Sequence, residues 1–547
     1  MVVLLIMKLK ALSPIIATIL LVVVAVILIT IILTWGKEFS TSSLNKTNNF
    51  GDLKASDATN FIYPKSAQNG IMQFTYSPPS QITEDINITH YRVLNITEMT
   101  EPIALEEPTI LTNTNILELP CLYEYSTITP DLTIQLITAE NTYINIKTKD
   151  PGMVCSPGGT GTEADPIIIC DAEDLNNIRN DLDANYSLGK DIDLQCFSRR
   201  DENGWEPIGN TGSGNYFTGS LNGNNHIINN LYINRPATDI VGLFGIINGE
   251  LDNIGLTDVN ITGGHITAGL VGDYETSGTL ILNNSYVTGN ISGNYIVGGL
   301  VGYNEAYIDN CYFSGNIIDT NAVGYCIGGL IGMQNWTNIS NSYSTGTITV
   351  TSPSSQTGGL VGYADGNISN CYSTANVIGQ DYVGGLVGYY YFNTISSSYA
   401  TGDVNGKKYV GGFAGYNDGS DSAAGTLNIS NSYSLGDVTR ISGLDQNIGG
   451  FVGFNKKGAI INSYSTGSVS GNSWTPTDKG FVGAITTGGN YADTNNFYDT
   501  TISLQTSTAG NAVAKTTAQM KTQSTFSGWD FSTVWNITEG VTYPFLR

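Results

Sequence analysis

The chain has 547 residues, a formal net charge of −24, only 13% charged residues and 64 glycines. It is too long for one ordinary globular core unless it is a repeat array, and its acidity repels phosphate backbones, which argues against nucleic acid as a partner. From Pro236 to Gly406 there is no Lys or Arg, so polarity there rests on Asn, Ser, Thr and Tyr. That surface suits hydrogen bonding, sugars or glycosylation better than ion pairing.

The stretch from Ala11 to Gly36 is uncharged and strongly apolar, and Lys8 and Lys10 precede it. At about 1.5 Å per residue it is long enough for a hydrocarbon core of about 30 Å. The flanking lysines favour an N-terminus inside and the rest outside. A secretory signal peptide has a shorter apolar region followed by a small-residue cleavage site. Lys10-Ala11-Leu12-Ser13-Pro14-Ile15-Ile16-Ala17 resembles the start of an archaeal type IV pilin precursor. That resemblance implies a cut near Ala11/Leu12 which leaves the helix on the mature protein, with Lys10, Ala11 and Leu12 forming the processing site. Ala17 departs from the glycine common in that family. The expected organisation opens with a pilin-like transmembrane helix over 1–36, giving a single-pass protein of the cell membrane with most of the chain extracellular. As a rival, the same helix packs in a filament, which makes the chain a pilus or tip subunit with other pilus subunits as partners.

A polar, Ser/Asn/Thr-rich stalk follows over 37–62. Residues 63–150 alternate in short runs with Pro-rich breaks, and "LTIQLITAENTYINIKTKD" reads as two strands around a turn at Glu140-Asn141. This predicts a small β-rich spacer domain, a sandwich being one arrangement. In "CSPGGTGTEADPIIICDAEDLNNIRNDL", Asp171 is placed to cap a short helix over Ala172 to Leu182. Short strands with Gly and Asn turns come next and leave no room for crossover helices.

Beyond Val241 one unit recurs. The glycine before its Leu or Phe falls at Gly242, Gly269, Gly299, Gly329, Gly359, Gly385, Gly412, Gly450 and Gly480, at spacings of 27, 30, 30, 30, 26, 27, 38 and 30 residues. The widest spacing holds an inserted "DGSDSAAGTL". A second marker keeps step at Tyr286, Tyr312, Tyr343, Tyr372, Tyr399, Tyr433 and Tyr464, with Tyr498 expected to continue it. Period-2 strands in a fixed repeat predict an all-β chain whose main body, 155–498, is a parallel β-helix of the right-handed type, one coil per repeat. With coils about 4.8 Å apart, its repeats extend roughly 40 Å. Leu300 and its counterparts fill the interior, the glycines permit close approach, and Asn310, Asn341, Asn370, Asn431 and Asn462 stack as an amide ladder. These repeats resemble the GLUG motif of large bacterial and archaeal surface proteins. Gly158 to Ile254 resembles the leading part of such proteins, and "GWDFSTVWNITEGVTYPFLR" resembles their ending. The resemblance implies a surface protein with an adhesive or envelope-structural role, and a C-terminal cap over 499–547 expected to cover the last open coil.

Chemistry-bearing residues are sparse. Of seven cysteines, Cys311 and Cys371 share a repeat position two coils apart, beyond disulfide reach, and read as buried thiols. Cys155 is left to pair with Cys170 or Cys196, a choice the spacing does not make. There is no Cys-x-x-Cys pair and no His-Glu-x-x-His motif, so no metal or other cofactor is expected. Asp181, Asp183 and Asn185 begin like a calcium loop, but Tyr186 and Ile192 stand where Gly and Glu belong. A lyase needs a base with cationic help and a hydrolase needs paired carboxylates. Neither set is visible, so the expectation is a binding or structural protein, with a carbohydrate-active β-helix enzyme as the rival from another class. The candidate binding row is Tyr303, Tyr363, Tyr389, Tyr416 and Phe454, interrupted by Asp273 and Met333. Exposed, it would stack on sugars of surface glycans or dock envelope proteins; otherwise it is a stacking ladder. Asn-x-Ser/Thr sequons occur at twelve sites, with Asn87, Asn95, Asn260, Asn290, Asn338, Asn367 and Asn428 the glycosylation candidates beside Asn45, Asn185, Asn283, Asn335 and Asn536.

Overall fold

A computed structural model describes the backbone of strands between 62 and 149, then residues 155–547 apart from 156, 199–201, 210–213, 276–279, 320–323, 354, 420–426, 443–446, 472–475 and 487–492. The pilin-like helix, its Lys10/Ala11/Leu12 processing site and nearly all of the polar stalk lie outside the described residues. The chain divides into two compact units, near Ser156.

In the first unit, Ile62–Gln68, Ile71–Tyr76 and Ile116–Leu119 form one antiparallel sheet, in that order. A second antiparallel sheet runs Ile103–Leu111, Ile86–Leu94, Asp131–Thr138, Tyr143–Lys149. Its last two strands pair from Ile137↔Tyr143 to Asp131↔Lys149; the expected turn residues Glu140-Asn141 lie outside the described residues.

The second unit is a parallel β-solenoid. One turn carries four short strands: Ile296–Gly298, Val301–Asn304, Tyr307–Asp309 and Tyr312–Asp319. Each pairs in register with its counterpart in the next turn, as in Ile296↔Cys326, Val301↔Ile331, Ile308↔Ile339 and Tyr312↔Tyr343. The strands therefore stack into four parallel sheets of eight, nine, eleven and seventeen strands, called here sheets one to four in the order a turn visits them. Sheet three starts at Ile167–Ile169 and runs without a break to Ala459–Ile461. The leading segment is thus the first turns of the same solenoid. The helix after Asp171 is shorter than its sequence promises: Ala172–Asn177, then a 3-10 turn over Ile178–Asn180.

Leu300, Leu330, Leu360 and Leu386 are wholly buried at the corner between sheets one and two, as are Phe413 and Phe451. Each such side chain contributes roughly 1.5–3 kcal/mol on leaving water. The glycine before each leucine is needed for close approach rather than for a left-handed backbone, since none of these repeat glycines has positive φ. A Cβ on Gly329 would overlap the carbonyl oxygen of Gly359 in the next turn.

The corner between sheets three and four has a different logic. Asn253, Asn284, Asn310, Asn341, Asn370, Asn431, Asn462 and Asn495 all sit there with φ between 48° and 57°. Asparagine recurs because it tolerates the left-handed region that the corner demands. The amide ladder forms in pieces. Asn310 donates to Asn284, Asn370 to Asn341, Asn462 to Asn431 and Asn495 to Asn462. It breaks where Asn341 turns to Asp309 and where Ser397 replaces Asn.

The next residue in that corner builds a ladder the sequence reading missed. Ser285, Cys311, Ser342, Cys371, Ser398, Ser432, Ser463 and Asn496 form a buried file. Each accepts the backbone N–H of the previous turn: Ile254 to Ser285, Ser285 to Cys311, Cys311 to Ser342, Cys371 to Ser398, and onward to Asn496. The Ser and Cys side chains also donate to the carbonyl two residues back, as Cys311 does to Asp309 and Ser398 to Ser396. Cys311 and Cys371 are thus sulfur members of a hydroxyl file, and burial pushes both thiols up to about 12. Cys326, also free and buried, donates to Gln356 in sheet one. Cys155 and Cys170 are each disulfide-bonded.

Two corrections concern the C-terminal end. Tyr464 pairs with Phe497, and Tyr498 pairs with Ser465, so Phe497 continues the tyrosine marker while Tyr498 points inward. Sheet four then gains one strand beyond 498, Val513–Lys515. The aromatic tail does not lie where a lid on the last coil was expected. Met520, Phe526, Trp529 and Trp535 pack with Tyr433, Tyr464 and Phe497, against the outer face of sheet four in its last turns. The Tyr464 hydroxyl donates to Pro544 O and Trp529 Nε1 to Asn495 O.

Candidate binding surface on the solenoid

Several aromatic files run along the outside of the turns, His265, Tyr295 and Tyr325 forming a short one. On sheet four, Tyr286, Tyr312, Tyr343, Tyr372, Tyr399 and Tyr433 stack at 4.7–4.8 Å with ring planes within 5°. On sheet two, Tyr363, Tyr389, Tyr416 and Phe454 stack at 5.6, 4.8 and 5.2 Å. Tyr303 shares this register position but is cut off by Met333. Its hydroxyl donates to Glu305 and accepts from Asn335 instead.

Beside the sheet-two file stand Tyr382 and Tyr409 of sheet one, themselves stacked at 4.9 Å. Both have left-handed backbones, φ 49° and 50°. Their rings meet Tyr389, Tyr416 and Phe454 edge-on at 5.4–5.7 Å. The outer surfaces of sheets one and two therefore meet in an aromatic cluster. Its signal in the sequence is the Tyr-Val-Gly-Gly of two successive repeats, Tyr382–Gly385 and Tyr409–Gly412. The Tyr389 hydroxyl donates to Asp418, which Lys456 pairs at 3.0 Å, and the Lys408 ammonium lies over the Tyr409 ring. Burial, then the Asp418 hydrogen bond, raises the Tyr389 phenol well above its usual range.

This geometry decides what the row can do. Rings at stacking distance cover one another's faces, so a sugar cannot lie face-on over the middle of the file. The cluster presents ring edges and hydroxyls with the Lys456 ammonium beside them, while Asp418 is buried beneath. A freely presented aromatic face occurs elsewhere, at Trp336, which is 66% exposed with φ 58°. Phe392 meets it edge-on at 4.7 Å, and Tyr391 meets Phe392 at 5.2 Å.

Among the glycosylation candidates, Asn260, Asn290, Asn338 and Asn367 are exposed on the solenoid; the side chains of Asn87, Asn95 and Asn428 lie outside the described residues. The repeat glycines from Gly242 to Gly480 all sit at the corner between sheets one and two and serve packing. Asp183 accepts from Thr218, while Asn185 bonds Gly161 and Ser220, so these side chains are engaged separately. One carboxylate stands out: Asp273, 9% exposed, with Oδ1 unpartnered and its pKa raised to about 7 by burial and by Glu275 and Glu305. Among the described residues no helix is long and apolar enough to cross a membrane and no cluster of three His, Cys, Asp or Glu could hold a metal ion.

Five segments, 293–318, 323–349, 354–378, 379–405 and 445–470, match the model of the GLUG motif. Each spans most of one turn, and together they cover less than half of the chain. A Gly-rich membrane protein of Evansella cellulosilytica is 42% identical over 109 residues, 19% of this chain and 12% of that protein. Halomucin of Haloquadratum walsbyi is 38% identical over 142 residues, 23% of this chain and 2% of that protein. The chain therefore spans a small fraction of these relatives. A solved IgA1 protease covers 63% of this chain and 28% of its own, at 17% identity and a TM-score of 0.32, and no inference is drawn from it.

Proposed function

We propose that this chain is an outward-facing cell-surface protein whose solenoid acts as a non-catalytic spacer and presents a surface to glycans or envelope components. The observation that carries this reading is the repeat itself: turn after turn, the corner glycine, the Leu or Phe, the left-handed corner residue and the Ser or Cys after it make the same stacking contacts. Most of the polar and aromatic side chains outside are likewise engaged with their neighbours in adjacent turns. The likeness to a Gly-rich membrane protein and to halomucin supports placement at the surface. Recognition would use the cluster of Tyr382, Tyr389, Tyr409, Tyr416 and Phe454 through hydroxyls and ring edges, rather than by face stacking along the row.

The pilin-like segment fits this reading as an anchor. About twenty apolar side chains, each worth roughly 1.5–3 kcal/mol when removed from water, must lie in a bilayer or in a bundle of like helices. We favour the bilayer, because an ectodomain of this size crowds its neighbours on a thin filament.

Immuno-electron microscopy and protease treatment of intact cells test the placement: the epitope should be outside and digestible without lysis. Mass spectrometry should find a mature N-terminus close to Leu12. Incubation with acidic and neutral glycans should give binding without new reducing ends or unsaturated products. Turnover abolished by replacing a single Asp would overturn the non-enzymatic reading.

A further inference from the structure

Trp336 is a costly residue to place where it stands. An aromatic side chain with φ 58° is uncommon, and an outlier of this kind calls for a reason. Its N–H donates to Asp365, which holds the corner. One turn on, Gly366 occupies the site between Trp336 and Phe392. An added Cβ there would overlap Thr337 O. Trp336 meets Phe392 two turns away, and the pair forms an aromatic corner open to solvent at the indole.

Three sequons crowd the same corner, and the structure separates them. Asn335 Nδ2 donates to both Tyr303 Oη and Glu305 Oε1, at 2.9 and 2.8 Å, and its sequon hydroxyl, Thr337, is buried. Asn367 Nδ2 donates to Asn338 Oδ1 at 2.9 Å, and Asn367 Oδ1 accepts Thr394 N–H. Asn338 is exposed, and its Nδ2 donates to no partner among the described residues. It lies two residues after Trp336, at most about 7 Å along the backbone. Phe392 stands two residues before Thr394, whose N–H extends the Asn338–Asn367 file.

We propose that Asn338 carries an N-linked glycan whose first pyranose ring rests against the Trp336–Phe392 corner. This rests on the outward placement proposed above. In the transfer, the Asn338 Nδ2 attacks C1 of a sugar carried on a polyprenyl phosphate or pyrophosphate. The N–C1 bond forms, the C1–O bond to phosphate breaks, the phosphate carrier leaves with the electron pair, and the amide proton passes to a base of the transferring enzyme. No group is oxidised or reduced. The apolar face of the pyranose then covers indole surface that is otherwise wet, which gives the exposed tryptophan a use.

The test uses the full-length chain from a host that exports it and glycosylates Asn-x-Ser/Thr, beside the same chain from a non-glycosylating host. Peptide mass spectrometry should find a glycan on Asn338 that Ser340→Ala abolishes. The glycosylated chain should melt about 1–2 °C higher than the bare one, the size of about one aromatic contact. Trp336→Ala should keep the glycan while that difference disappears. Asn338 bare when Asn260 or Asn290 is occupied overturns the inference and leaves the surface reading intact, as does a protease-accessible chain bare at every sequon. A glycan on Asn338 whose melting effect persists in Trp336→Ala overturns the cradle. Free oligosaccharide that binds Trp336 while Asn338 stays bare makes the corner a docking site and overturns the attachment. A chain that protease reaches only after lysis sinks the surface reading and this inference with it.

Discussion

Gly329 illustrates how little space the fold leaves at a repeat position. Its φ is ordinary, yet a methyl group would collide with the Gly359 carbonyl and with Ser344. Gly329→Ala should therefore lower stability by about 1–3 kcal/mol, the range for overpacking, read from the denaturant midpoint at unchanged m-value. Asp273 works at the same scale. Its carboxyl is pushed from 3.8 up to about 7, first by burial and then by Glu275 and Glu305. In the folded chain it stays protonated between about pH 4 and pH 7, where the unfolded chain has released that proton. Stability should fall as pH rises through this window, by at most about 4 kcal/mol. Asp273→Asn should flatten that fall, leaving the variant more stable than the parent at pH 8 and little changed at pH 4. Unfolding curves across pH that run parallel for the two proteins would rule this out.

At the scale of an element, the serine–cysteine file joins corner to corner. Ser398 accepts the Cys371 N–H at 3.1 Å and donates to Ser396. Ser398→Ala leaves a buried backbone donor unpaired and should cost about 1–3 kcal/mol. Cys371→Ser keeps the pattern with the group that most turns already use, and should cost much less. The thiols of Cys311, Cys326 and Cys371 should resist alkylation in the folded chain and react on unfolding, because burial suppresses the thiolate. The aromatic tail is a second element with a definite task. Removing residues 516–547 keeps the Val513–Lys515 strand but bares Tyr433, Tyr464 and Phe497. Light scattering should then show association that the chain with its tail intact lacks; an unchanged monodisperse trace would mean the tail protects nothing.

For the molecule as a whole, stability is a sum over turns that touch only their neighbours. Deleting residues 300–329, one whole turn, should give a shorter solenoid that still folds, since Gly299 then meets Leu330 as it met Leu300. Deleting half a turn moves side chains off their sheet and should abolish cooperative unfolding. Circular dichroism with thermal melts of the two deletions separates these outcomes.

The repeat architecture was legible in the sequence because each turn has the same steric needs, and needs that recur every 26 to 38 residues leave a visible period. Leu300 with its glycine and Asn310 with its corner could be assigned from local chemistry alone. Tyr498 was misplaced because Phe replaces the marker tyrosine in Asn495-Asn496-Phe497, the counterpart of Asn462-Ser463-Tyr464, and the Tyr464↔Phe497 pairing sets the register. The role of the Ser and Cys after each corner asparagine was hidden because its partner is a backbone N–H a full turn away. The aromatic row was visible as a row, but whether its faces were free depended on the 4.8–5.6 Å spacing between stacked rings. Trp336 shows the contrast most plainly. Its sequon neighbours are written in the chain, while its exposure and its contact with Phe392, more than fifty residues away in sequence, exist only in the folded solenoid.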